Sequence, residues 1–247
     1  MRYFLEISYN GKGYHGWQIQ PNANTVQETI ENVLTTFFGE SISIVGAGRT
    51  DAGVHASQMF AHFDTNTVFI ENDLIFKLNS FLPTHIAIRN IFKVKADAHA
   101  RFNAINRTYV YKIALQKNVF TYDNVYYLKS KVNIELMNEA AKILYMYKDF
   151  QCFSKSNTDV KTYNCEIRQA EWSVKDNELQ FTIKADRFLR NMVRAIVGTL
   201  INIGQGKIKV EDLHQIISSK NRSEAGFSVP AQGLYLTEVN YPENIFL

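Results

Sequence analysis

Gly46-Ala47-Gly48-Arg49-Thr50-Asp51-Ala52-Gly53-Val54-His55 is the stretch on which the reading of this chain turns. Its three glycines and small neighbours permit tight turns and close approach of backbone to backbone. A dinucleotide fingerprint of the form GxGxxG needs glycine where Asp51 stands. A phosphate-binding loop needs Gly-Lys-Ser/Thr, and the chain contains none. What remains is a loop that presents a carboxylate beside an arginine. A neighbouring guanidinium keeps a carboxylate ionised and so able to act as nucleophile or base. Aspartates are also common in turns for structural reasons, and on spacing alone a turn Asp51 paired with Arg49 is the more ordinary account.

Outward from this loop, strands and helices alternate. Arg2 to Tyr9 alternates, with Tyr3, Leu5, Ile7 and Tyr9 on one face, as a half-buried strand should. Thr25 and Glu28 have the spacing of a capping box, followed by the apolar stripe Val26, Ile30, Val33, Leu34 and Phe37. Ser57 to Phe63 reads as a strand, and Asn72 to Leu82 as a helix stopped by Pro83. The theme then repeats. Thr108 to Leu115 is a strand with Tyr109, Tyr111, Ile113 and Leu115 on one face. Ile134 to Tyr147 is a helix. Ala170, Trp172 and Val174 mark one strand, and Leu179, Phe181 and Ile183 another. A long helix capped by Asp186 runs to Gly204, and Gly233 to Tyr241 closes the chain as a strand. Two α+β layers side by side follow, residues 1–104 and 105–247.

Three further segments bear chemistry-capable side chains. Tyr109 and Tyr111 share a strand face, where an aromatic can stack on an unpaired base or simply fill a core. Arg187, Arg190 and Arg194 fall at i, i+3 and i+7 of the expected helix, on one side, where they form a phosphate-facing stripe, send one cation to a carboxylate, or make a solvated face. Arg194 flanks apolar neighbours mid-helix and is the one expected to point into a cleft. Tyr9-Asn10-Gly11-Lys12-Gly13-Tyr14-His15-Gly16-Trp17-Gln18 suits either backbone contact with a ligand or a plain connection.

The bulk numbers narrow the class. Of 247 residues, 46% are hydrophobic and 21% charged, as in globular proteins. Two cysteines, Cys152 and Cys165, exclude a disulfide framework, and the six histidines show neither HExxH nor HxE…CxxC, so no metal is expected. The N-terminus has no signal-peptide h-region and no run is long enough to span a membrane, so a cytoplasmic protein is expected. The formal charge of +3 is unevenly spread: residues 1–100 carry a net −2 and residues 101–247 a net +5. The second half therefore supplies most of any field that draws in a polyanion.

Taken together, the segments resemble the TruA family of tRNA pseudouridine synthases. The family's YDG…GWQ-QP…TVQ-E opening resembles Tyr9-Asn10-Gly11 and Gly16 to Glu28. Its GRTDAGVHA stands intact from Gly48 to Ala56. Its LN–LP segment matches Leu78 to Pro83, its AR…Y-Y segment Ala100-Arg101 to Tyr111, and its MVR-IVG helix Phe188 to Gly198. Its closing AG…PA-GLYL matches Ala225 to Leu236. Departures are Asn10 for the usual Asp, GFSVPA (Gly226 to Ala231) for GPTAPA, and an Asn/Lys-rich loop from Asp149 to Cys165.

The resemblance implies an α+β chain of two ferredoxin-like units that share a central, mostly antiparallel sheet, with a basic cleft between them. It implies a homodimer that grips tRNA and isomerises uridine to pseudouridine at positions 38, 39 and 40 of the anticodon stem-loop, without metal or cofactor. It makes Asp51 the catalytic carboxylate, as nucleophile or as base toward the sugar. Arg194 pairs with Asp51, and Tyr109 stacks on the uracil and, as a catalytic residue, assists loss of the C5 proton. Arg49 helps hold the flipped nucleotide, and Arg101, Arg107, Arg187 and Arg190 are further candidates for tRNA contact. One catalytic carboxylate suffices here, whereas glycosidases need two. A non-catalytic RNA-binding protein is the chief rival, but the RNP1 pattern of an RRM is missing.

Overall fold

The computed structural model describes residues 1–155, 160–175 and 177–247; residues 156–159 of the Asn/Lys-rich loop lie outside them. The chain divides into two compact units, Met1–Asn106 with Tyr235–Leu247, and Arg107–Leu234. In chain order the elements are β1 (Arg2–Tyr9), α1 (Val26–Phe38), β2 (Val45–Gly46), β3 (His55–Asp64), α2 (Glu71–Phe81) and β4 (Ile86–Val94). Then come β5 (Asn106–Ala114), β6 (Tyr126–Tyr127), α3 (Ile134–Ile143), β7 (Ile167–Lys175), β8 (Glu178–Ala185), α4 (Met192–Gly204), α5 (Asp212–Ser219) and β9 (Leu234–Asn240). This is an α+β fold. A boundary near residue 104 leaves out that the chain returns: β9 lies parallel to β3, with His55 opposite Tyr235 and Ala56 opposite Leu236.

In the first unit β1 is central, antiparallel to both β3 and β4. The expected apolar face of Tyr3, Leu5, Ile7 and Tyr9 is buried, and so is Phe4 on the other face. The half-buried strand of the sequence reading is therefore covered on both sides. Phe4 meets the rings of Tyr241 (5.1 Å) and Phe246 (6.2 Å), which only the returning C-terminal segment delivers. The capping signal at α1 holds: Thr25 Oγ1 accepts from Glu28 N at 3.4 Å, and Gly39 ends the helix in the left-handed region, φ 70°. α2 is tied to β4 by Asn79, whose amide donates to Ile88 O and accepts from Ile88 N, both at 2.8 Å.

In the second unit β8 lies between β5 and β7, antiparallel to each. Leu179, Phe181 and Ile183 are fully buried, as their alternation requires. α4 is buried almost all round. Gly198 makes this packing feasible, because a side chain there would strike the carbonyl of Phe227. β4 and α5 stand where the sequence patterns above assign no element.

Candidate active site

The chain leaves β2 at Gly46 and enters β3 at His55, and the turn between them is held by backbone. Thr50 O accepts from Trp17 N (3.3 Å), Tyr14 O accepts from Gly53 N (3.2 Å), and Val54 N donates to Asp51 O (3.1 Å). The Tyr9 hydroxyl meets Thr50 Oγ1 at 2.9 Å. The glycine-rich loop after β1 is thus a bed for the Asp51 turn. Gly16 sits at φ 94° with its α-carbon so close to Thr50 O that no side chain fits. Trp17, 2% exposed, packs its indole against Gly46. Asn10 Oδ1 accepts from Lys12 N at 3.0 Å. An aspartate in its place would supply the same acceptor, so this departure from the family pattern preserves the turn.

His55 braces this turn, a role that the sequence did not disclose. It is buried, its Nδ1 accepts from Gly11 N at 3.1 Å, and its ring stacks on Tyr235 with centroids 4.6 Å apart. It locks the end of the Asp51 turn to both the glycine-rich bed and β9. Asp51 itself is half-buried and Arg49 exposed. The arrangement presents one carboxylate from a turn with little freedom to move, as a group that must meet a reacting atom requires.

Arg49, Asp51 and Arg101 belong to the first unit; Arg107, Tyr109, Arg187, Arg190 and Arg194 belong to the second. The two tyrosines of β5 part company. Tyr111 is fully buried, its hydroxyl donates to Pro230 O at 2.8 Å, and burial drives its phenol well above the ordinary range. Tyr109 keeps part of its surface in solvent and takes the ring of Phe188 edge-on at 5.1 Å.

The expected helix from Asp186 is corrected. Residues 186–191 lie outside α4, which begins at Met192. The Asp186 carboxylate is occupied by Glu166 N (2.7 Å) and Arg187 N (2.8 Å), and Asn191 adopts φ 68°, which a right-handed helix cannot pass through. Arg187, Arg190 and Arg194 therefore form no stripe on one helix face. Arg194 lies in the first turn of α4, not mid-helix. Its Nε donates to Val229 O at 2.7 Å while Val229 N donates to Arg194 O at 3.3 Å. Arg107 Nη1 donates to Asp186 O at 2.8 Å.

Arg222 was also missed, since it sits in a polar run that looks like plain surface. Its guanidinium donates to the carbonyls of Ala225 (3.3 Å) and Gly226 (3.0 Å) and to Ser228 Oγ (2.9 Å), which Asn191 Nδ2 also reaches at 2.7 Å. Arg222 thereby braces the segment that offers Val229 to Arg194. Ser228 stands where the family pattern has Thr, so the hydroxyl is kept. Burial pushes the thiols of Cys152 and Cys165 up to about 12, leaving them protonated and poor nucleophiles at neutral pH. Among the described residues no three His, Cys, Asp or Glu side chains are grouped to hold a metal, and no helix is long and apolar enough to cross a membrane.

The family model described as tRNA pseudouridine synthase matches residues 7–103 and 140–242. The chain belongs to that family. It is similar along its length to curated proteins named tRNA pseudouridine synthase A. The identity is 50% to that of Parabacteroides distasonis, over 99% of this chain and 98% of the relative. It is 50% to that of Porphyromonas gingivalis (100% and 99%), and 40% to that of Acetivibrio thermocellus (96% and 98%). The Asp51 turn and its glycine-rich bed lie inside the first matched block of the synthase family, and α4 with the Arg222 brace inside the second.

Proposed function

We propose that this protein isomerises uridine to pseudouridine in the anticodon stem-loop of tRNA, at positions 38, 39 and 40. The observation that carries the reading is the full-length match to tRNA pseudouridine synthases combined with an intact, backbone-clamped Asp51 turn. The target base leaves its stack and enters the site. The N1–C1′ bond breaks, the uracil turns, C5 bonds to C1′, and the C5 proton is released while N1 regains a hydrogen. Asp51 provides the carboxylate for the sugar, Arg194 keeps it ionised and oriented, and Tyr109 stacks on the uracil. Arg49, Arg101, Arg107, Arg187 and Arg190 hold phosphates or the flipped nucleotide. Two ferredoxin-like units on a shared sheet with a basic cleft, a homodimeric assembly and a cytoplasmic location complete the proposal.

The test is tritium release from tRNA labelled at uridine C5, with pseudouridines mapped in RNA from cells lacking the protein. Release from positions 38–40, with those pseudouridines lost in the deletion, is the expected result. Release only from other uridines makes this a family member with a different RNA target. Binding without release makes it a non-catalytic RNA-binding protein.

A further inference from the structure

Phe102 is 76% exposed, next to Arg101, on the turn that follows β4. A lone exposed aromatic is ordinary on a protein surface. This one is set on an unusually well-braced turn. His62, buried in β3, accepts from Ala100 N through Nδ1 at 3.2 Å. His99 accepts from Arg101 N at 3.1 Å and Phe102 N at 3.4 Å through its own Nδ1. Asn103 closes the turn on both sides, Oδ1 accepting from His99 N (2.6 Å) and N donating to His99 O (3.0 Å). Arg2 Nη1 donates to Ala98 O (3.0 Å) and the Tyr241 hydroxyl to Ala100 O (2.6 Å).

The rings form a row that ends in solvent, His62 edge-on to His99 and His99 tilted against Phe102. His62 meets His99 at 4.7 Å and His99 meets Phe102 at 4.2 Å, while the Arg101 guanidinium sits 5.9 Å from the Phe102 centroid. One face of Phe102 is thus backed and the ring is held outward at small entropic cost. The Arg101 cation lies over the same ring, which keeps 76% of its surface in solvent. A fixed aromatic paired with arginine is how proteins hold an unpaired nucleotide, the ring taking the base and the cation the phosphate.

We propose that Phe102, backed by His99 and paired with Arg101, is a stacking platform for an unpaired base of the substrate tRNA. The inference rests on the tRNA reading above. Both imidazoles accept backbone N–H groups and so are neutral, and the burial of His62 keeps it so. Arg101 is then the cation of the platform itself.

The test compares wild type with Phe102→Ala, Phe102→Leu and Phe102→Trp, each first shown to melt as wild type. Dissociation constants for tRNA and single-turnover tritium release at saturating tRNA are measured on each. The Ala and Leu variants should bind roughly tenfold more weakly, with the saturated rate nearly unchanged. Phe102→Trp should restore affinity, and its added fluorescence should be quenched by an unlabelled anticodon stem-loop. Trp17 and Trp172 are buried, so the wild-type signal serves as background. Wild-type affinity in Phe102→Leu, or no quenching in Phe102→Trp with bound RNA, overturns the platform. So does a changed sedimentation coefficient of Phe102→Ala without RNA, which would make the ring a contact between copies. If wild type releases no tritium while quenching persists, the catalytic reading fails and the platform stands.

Discussion

At the scale of single residues, the proposed chemistry separates Asp51, as the group that reacts, from the residues that hold its turn. Asp51→Asn removes the charge and keeps the shape. It should lower the single-turnover rate at least about hundredfold, while tRNA affinity, set by phosphate contacts, stays close to wild type. Quench-flow kinetics with parallel filter binding checks both, and a rate within a few-fold of wild type would remove Asp51 from its role. Arg194→Lys retains charge without the planar fork that reaches Val229 O, so it should substitute poorly in rate. His62 offers a pH test. Burial first, then the charges of Arg2 and His99, depress it to about 4, with Asp64 opposing. The folded state therefore refuses a proton that the unfolded chain accepts below about 6.5. Stability contributed by neutral His62 is complete above that pH and is lost as pH falls toward about 4. Melting temperature should fall across that window, and His62→Asn, which keeps an acceptor for Ala100 N, should flatten the part that His62 supplies. An unchanged slope in the variant would show that other groups dominate.

Elements show where sequence patterns suffice and where they fail. The Thr25 cap of α1 is a local affair between a hydroxyl and an N–H three residues on, and it was readable as such. Thr25→Ala should cost about 1 kcal/mol, seen as a modest drop in the denaturant midpoint. α4 is different. Its apolar residues announced a helix, but its start was fixed by partners distant in sequence: Glu166 N taking the Asp186 carboxylate, and the left-handed Asn191 tied to Ser228. A stripe computed from i, i+3, i+7 spacing presumes a helix already running at Arg187, and it was not. Gly198 is the sharper probe of this element. Gly198→Ala raises helix propensity yet drives a methyl into Phe227 O, so it should destabilise by about 1–3 kcal/mol. A variant more stable than wild type would mean the 226–229 segment can shift without loss.

For the molecule as a whole, charge is the property that the sequence states outright. With residues 101–247 at net +5 and residues 1–100 at net −2, tRNA affinity should fall steeply with salt. In the Arg187→Ala/Arg190→Ala double variant, the slope of log affinity against log salt should flatten by roughly one per lost phosphate contact. Fluorescence titrations at several salt concentrations measure it, and an identical slope would place the contacts elsewhere. The sequence by itself determined most of the strands and helices, though not β4, α5 or the start of α4, together with the cap of α1 and the identity of the Asp51 motif. Each is a matter of neighbours within a turn or two, where period, capping and steric allowance act directly on the chain. Tertiary structure alone decided that Tyr235–Leu247 returns to the first unit and covers Phe4, and that the 10–17 loop is a backbone bed for Asp51. It alone decided that Tyr111 is core while Tyr109 is not, and that His55, His62 and Arg222 brace turns. Those outcomes depend on hydrogen bonds and close approaches between segments far apart along the chain, for which local patterning carries no signal.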